Sequence, residues 1–382
     1  MKNRFFLFMM AFLVININAN YAYPPLLGDS FKGYDQFMQT NRCIDCYIPG
    51  ISIMVETRPH SNLRGTTMYN SEIVLAVLNN SDISYANLEN AWMYAAHVSI
   101  TDLSYSNMTN LQASNAFFVN DNFDHAILDN ARFFLAEMSK SRFNYTSIIG
   151  ANFIHAGLTL TEFNKSNLTG SLLNGCDFGG AKVLDCLLDD TSMKKVKARH
   201  SDFSGTSFLR SKLYSADFMR SNLTNTNFNE ALMYKFIGSH SNFTNANLQH
   251  AELIDAELRF CNLKGTKTDN TNFTGAILIG STNFNPAESA ILCQTIMPDG
   301  SVNNSGCHRL DQYIEDLVAI ENLESKTKGY ALNIRPYSTA RQDAGDIGPQ
   351  QEAGDTGLPP FVYKKATPVS TKPDSTTKTT GT

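Results

Sequence analysis

The chain is short of the features that mark a catalytic centre. It contains one CxxC, Cys43-Ile44-Asp45-Cys46, and lacks the second pair that a four-cysteine zinc site would need. There is no glycine-rich phosphate loop and no recognisable nucleophile motif. The eight histidines are scattered. Neither charge sign dominates: 31 basic and 36 acidic residues leave a net charge of −5, so the polycationic stripe of a nucleic-acid binder is missing. Long apolar runs are also missing. The longest, Phe5 to Ile15, is too short to span a bilayer and follows Lys2 and Arg4, the arrangement of a secretory signal. Ala19 or Ala22 could precede its cleavage. These absences predict no catalytic residues, no metal, no cofactor and no stable membrane span in the mature chain.

What is present is a period of five. From Leu63 onward the positions Met68, Ile73, Leu78, Ile83, Leu88, Met93 and Val98 are large and apolar, and the series continues in phase to Leu278. Two residues before each stands a small side chain, as at Ala86, Ala91, Ala96, Thr101 and Ser106. Roughly 40 of about 44 positions obey each rule, which chance does not produce. On an α-helix, five residues advance about 500°, and the apolar residues would smear around the axis. In extended chain, residues two apart share a face, so the small and central residues point together. Five is odd, however, and a straight strand would alternate its repeats between faces. The chain must therefore bend once per repeat, gathering both positions on the inside of a coil.

Runs such as Ala86-Asn87-Leu88-Glu89-Asn90 and Ala246-Asn247-Leu248-Gln249-His250 resemble the pentapeptide-repeat family. The resemblance covers well over half of the chain. It implies an all-β fold, a right-handed quadrilateral β-helix (a solenoid) with four repeats and about twenty residues per coil. Residues twenty apart then stack about 4.8 Å from one another. The columns Ala76, Ala96, Ala116, Ala136 and Asn70, Asn90, Asn110, Asn130 agree with that spacing. About eleven coils would make a rod on the order of 50 Å long. At Leu111/Ala113, Val196/Ala198 and Phe236/Gly238 the large and small residues exchange places within one repeat, as a close-packed lumen of fixed volume demands. Asp121 also falls at an inward position, between Thr101 and Ser141. His200 and His240 share an outer column but lie two coils apart, about 10 Å, too far for one metal.

The expected organisation is a signal peptide over 1–22, an N-terminal cap over 23–60, the β-helix over 61–284, a C-terminal cap with a helix over 285–334 and a disordered tail over 335–382. Asp29 N-caps a short helix bearing Phe31, Tyr34, Phe37 and Met38 over the open edge of the first coil. Cys293 and Cys307 flank a turn just past the last repeat and are the expected disulfide of an exported protein. Cys176, Cys186 and Cys261 act as small inward fillers.

Function must then reside on the surface. Outward ladders carry alternating charge, as in Asp177, Lys197, Asp217 and in Asp190, Arg210, Glu230. Lys194, Lys195, Lys197 and Arg199 form a basic cluster diluted by acids, which disfavours nucleic acid as a partner. Outward aromatics form two groups, Tyr85, Tyr105 and Tyr145 on one face and Tyr94, Phe134, Tyr214 and Tyr234 on another. They are the candidate binding surface. The expected function is an exported, periplasmic or extracellular, non-enzymatic structural or binding rod that shows a flat repeat surface to an unidentified protein partner. The family resemblance implies two alternatives, a DNA-mimicking inhibitor or protector of a topoisomerase and pairing into a homodimer through a terminal cap. The first needs an acidic rod, which a net charge of −5 does not supply. A secreted bacterial effector acting on a host is a variant of the binding reading.

Overall fold

The computed structural model describes residues 29–308. The chain divides into two compact units, Met1–Ser305 and Gly306–Thr382, and only the first three residues of the second are among those described. The leader over 1–22, the helix expected after Leu310 and the tail over 335–382 lie outside the described residues.

Each five-residue repeat does the same thing. Its first residue points inward and its second faces out while bridging the neighbouring coils. Its third, the central residue, points inward, and the last two make a corner. The fifth residue takes a left-handed conformation at almost every corner, with φ between 52° and 72°. Asparagine tolerates this region best among residues with a Cβ, and Asn70, Asn80, Asn90, Asn110 and Asn130 hold such corners. Val55 and Ile100 hold them too, at φ 58° and 61°, although branching at Cβ makes that conformation costly. Many corners are closed by a backbone bond from the next repeat to the central carbonyl, as from Ala91 N–H to Leu88 O at 3.0 Å.

Neighbouring coils pair in parallel with a register of twenty, from Arg42↔Asn62 through Asn262↔Thr282. The regular pieces long enough to count as strands are β1 (Glu162–Asn164) and β2 (Lys182–Leu184), paired Glu162↔Lys182, and an antiparallel hairpin of β3 (Thr295–Ile296) and β4 (Val302–Asn303). Coil upon coil, central residues stack on central residues. Phe123, Phe143 and Phe163 lie face to face with centroids 4.7 and 4.6 Å apart, and Phe208 sits 4.8 Å from Phe228. All five are buried. Each such side chain contributes about 1.5–3 kcal/mol on leaving water. Inward hydroxyls solve a separate problem. They donate to the central carbonyl one coil below, as from Ser171 Oγ to Ile148 O at 2.6 Å and Thr206 Oγ1 to Val183 O at 2.6 Å. The fold is thus a right-handed quadrilateral β-helix.

The boundaries differ from those expected. The β-helix begins one coil earlier than Ser61: Arg42, Tyr47, Ser52 and Thr57 bridge to Asn62, Thr67, Glu72 and Val77. The cap expected over 23–60 is therefore a helix, α1 (Asp29–Thr40), followed by a full coil. The pattern is masked there because Asn41, Ile51 and Glu56 replace small residues and Cys43 and Arg58 occupy the first and last central positions. Terminal coils have a helix or loop on one side instead of another coil, so their lumen need not be filled in the regular way. Arg58 serves that end. Its Nη1 donates to Met38 O at 2.6 Å and to Asn41 Oδ1 at 3.2 Å, and its guanidinium lies 5.8 Å from the Phe37 ring. A cation at the carbonyl end of α1 is where the helix dipole favours one. Phe37 is buried, but Phe31 is 59% exposed and does not join the core. At the other end the register drops to nineteen, with Asn272↔Ile291 and Ile277↔Ile296 paired, so residues 285–296 form a last, shortened coil rather than a separate cap.

Candidate interaction surface

The interior is packed with apolar side chains, and the carboxylate buried among them, Asp121, is held by backbone. Asp121 Oδ1 accepts the Thr101 N–H at 2.7 Å, and the Asp121 N–H donates to Ser141 Oγ at 2.9 Å. Both neighbours are the ones its column predicts. The second oxygen, Oδ2, has no hydrogen-bond partner, and burial pushes the carboxyl pKa up to about 8. A shallow cleft of about 340 Å³ lies over this corner, lined by Ile100, Asn120, Lys140 and Arg142 among others. The thiols of Cys176, Cys186 and Cys261 are buried, and desolvation pushes each up to about 12, which leaves them protonated and unreactive. Cys43 and Cys46 are bonded to each other across the corner at Ile44 and Asp45, and Cys43 lies against Gly33 of α1. Cys293 and Cys307 are each disulfide-bonded. Among the described residues no cluster of His, Cys, Asp and Glu could hold a metal, and no helix is long and apolar enough to cross a membrane.

Outside, the corners decide what meets what. Tyr85, Tyr105 and Tyr145 belong to one column, and the residue that joins them is His125. The four rings stack with centroids 4.8, 4.6 and 5.1 Å apart and planes within 8° of parallel. Arg64 lies 4.7 Å from the Tyr85 ring and extends the stack by a cation. The tyrosines are about half exposed, at 50%, 49% and 51%. The stacked faces cover one another, so the column shows a row of ring edges and hydroxyls. His125 and Arg64 fall on the twenty-residue spacing or beside it, and that spacing is the signal by which they can be found.

The second aromatic group is not one surface. Tyr214 and Tyr234 stack at 5.3 Å, while Phe134 meets His155 edge-on at 6.4 Å. Ser114 stands between Tyr94 and Phe134 in the column, and Ile154, Asn174 and Lys194 separate Phe134 from Tyr214. The charge ladders are also more selective than the columns suggest. Asp190 and Arg210 do pair across one coil, with Nε–Oδ1 at 2.8 Å and Nη2–Oδ2 at 2.7 Å. That contact holds the Asp190 carboxyl below its ordinary range. Asp217, by contrast, takes Arg199 on the diagonal at 2.6 Å rather than Lys197 of its own column. The Asp190–Arg210 pair is exposed and contributes little to stability.

A solenoid of five-residue repeats in this register defines a class of β-helical proteins. A family model for pentapeptide repeats matches eight copies over residues 136–175, 191–229, 221–263 and 256–285, so these stretches are pentapeptide repeats. Among solved structures the chain is similar to HetL, a pentapeptide-repeat protein involved in heterocyst differentiation regulation in the cyanobacterium Nostoc. The identity is 19% over 71% of this chain and 97% of HetL, with a TM-score of 0.22. It is also similar to QnrB1, a plasmid-mediated fluoroquinolone resistance protein, at 17% identity over 59% of this chain and 94% of QnrB1, with a TM-score of 0.29. The alginate lyase AlyGC is similar at 9% identity over 74% of this chain and 52% of the lyase, with a TM-score of 0.37. None of the curated proteins matches. The fold assignment rests on the repeat and its register.

Proposed function

We propose that this chain works after export, in the periplasm or outside the cell, as a non-enzymatic rod that presents its repeat surface to a protein partner. The observation that carries the reading is the exposed column Tyr85–Tyr105–His125–Tyr145, rigidly stacked on a scaffold whose interior is spent on packing. Rigid aromatic rings with polar tips are the anchors that protein interfaces favour, because they lose little conformational freedom on binding. The leader-like residues Lys2 to Ile15 and the Cys43–Cys46 bond support an oxidising compartment. A topoisomerase-directed DNA mimic would need a continuous acidic face, and the columns alternate in sign, as at Asp190 and Arg210.

The test is fractionation of cells making the tagged full chain, followed by light-driven cross-linking from an aryl-azide side chain placed at Tyr105. A single protein partner captured outside the cytoplasm is expected. Retention of the chain in the cytoplasm contradicts the export half, and an absence of captured protein contradicts the binding half.

A further inference from the structure

Lys194, Lys195, Lys197 and Arg199 read along the sequence as one basic run mixed with acids. The fold separates them. The chain turns a corner at Lys195, at φ 56°. Beyond it Lys197 bridges between Asp177 and Asp217, and Arg199 is ion-paired with Asp217, so that face is close to neutral. Before the corner, Lys194 stays with the face that carries Lys212, which bridges Ser192 and Leu232. Lys194 Nζ lies 5.2 Å from the centroid of Tyr214, which stacks on Tyr234. Lys195 and Lys235 mark the same edge two coils apart. All four lysines are exposed, and none forms a salt bridge among the described residues.

Over three coils, then, this face holds four unpaired ammonium groups around two stacked tyrosines and no carboxylate. Acids begin at its borders, with Glu230 on one corner and Glu252 and Asp255 on the next coil. We propose that this face docks a short, extended, acidic segment of a partner protein. The proposal deepens the protein-binding reading above and rests on it. Lys195 and Lys235 stand two coils apart in one column, about 10 Å from each other, and Lys212 lies on the coil between them. Carboxylates on one side of an extended segment recur about every 7 Å, so a short segment laid across the three coils brings several of them among these ammonium groups. The Tyr214 hydroxyl supplies a further donor, and burial raises its pKa, which keeps its proton in place. A long phosphate backbone fits less well, because it would run into Glu230, Glu252 and Asp255 at the borders of the patch.

The experiment is fluorescence anisotropy of a labelled peptide of alternating Glu and Ser on the full chain at low salt, beside a single-stranded oligonucleotide of equal charge. Saturable peptide binding is expected, weakened roughly tenfold by Lys212→Glu with Lys235→Glu and weakened by added salt. Lys140→Glu with Lys165→Glu, on other corners of the rod, should leave it within about twofold. Circular dichroism of each variant must match the parent. Absence of saturable binding, equal loss in the Lys140/Lys165 pair, or oligonucleotide binding as tight as that of the peptide each overturns the proposal. If the peptide fails while the Tyr105 cross-link still captures a protein, this docking site falls and the protein-binding reading stands; if both fail, both fall.

Discussion

Asp121 Oδ1 accepts the backbone N–H of Thr101 at 2.7 Å, a role played by a hydroxyl where Ser81 N–H meets Thr101 Oγ1 one coil earlier. A single carboxyl has been inserted into a column of Ser and Thr, and its Oδ2 has no partner.

Stability should therefore depend on pH through this group. Burial raises the folded pKa to about 8, above the ordinary carboxyl value of 3.8. Between those values the folded chain holds a proton that the unfolded chain has released. Folding is thus favoured at the acid end and weakened as pH rises towards 8, by an amount on the order of a few kcal/mol. Urea melts of the parent and of Asp121→Asn from pH 5 to pH 9 check this. The parent should lose stability relative to the variant as pH rises, and parallel curves would show that Asp121 is not the cause.

Phe236 and Gly238 share one volume. A Cβ on Gly238 would lie 2.8 Å from Phe236 and 3.0 Å from Leu258, closer than carbon atoms pack. Gly238→Leu should cost about 1–3 kcal/mol by overpacking, and Phe236→Ala made alongside should restore much of the loss. Chemical denaturation of the two variants decides the matter. A double variant as unstable as the single one refutes the compensation.

Arg58 ties α1 to the first coil. Arg58→Ala removes the bond to the Met38 carbonyl and should cost about 1.5–3 kcal/mol locally. Hydrogen exchange should quicken at Phe37 to Cys43 while the coils beyond Leu103 keep their protection. Uniform quickening along the rod would mean that the end is not a separable unit.

Export is tested by intact mass. The mature chain should begin near Asn20 or Tyr23 and carry a Cys293–Cys307 bond. That bond closes a loop of about 15 residues and adds about 3 kcal/mol by restricting the unfolded chain. Native protein measured with and without reductant reports both the start and the bonds. Retention of Met1 together with free thiols at Cys293 and Cys307 would defeat the prediction.

The five-residue period determined that the chain coils, and the resemblance of its repeats to the pentapeptide-repeat family implied the quadrilateral β-helix. An odd period that keeps its small and central residues on one side permits only a chain that bends at every repeat. The twenty-residue coil is what that resemblance implies, and the columns it sets up already place the Phe stacks and the neighbours of Asp121, while the exchange at Phe236 and Gly238 is legible within one repeat. Three things needed the tertiary structure. The coil over 41–60 was hidden because a terminal coil packs against a helix and need not obey the interior pattern, as Arg58 shows. The division of Lys194 from Lys197 depended on which way the chain turns at Lys195, since a corner sends residues close in sequence to different faces. The choice of Arg199 over Lys197 as the partner of Asp217 depended on side-chain reach across a diagonal. Column spacing specifies which residues are neighbours, and only their three-dimensional packing decides which neighbours bond.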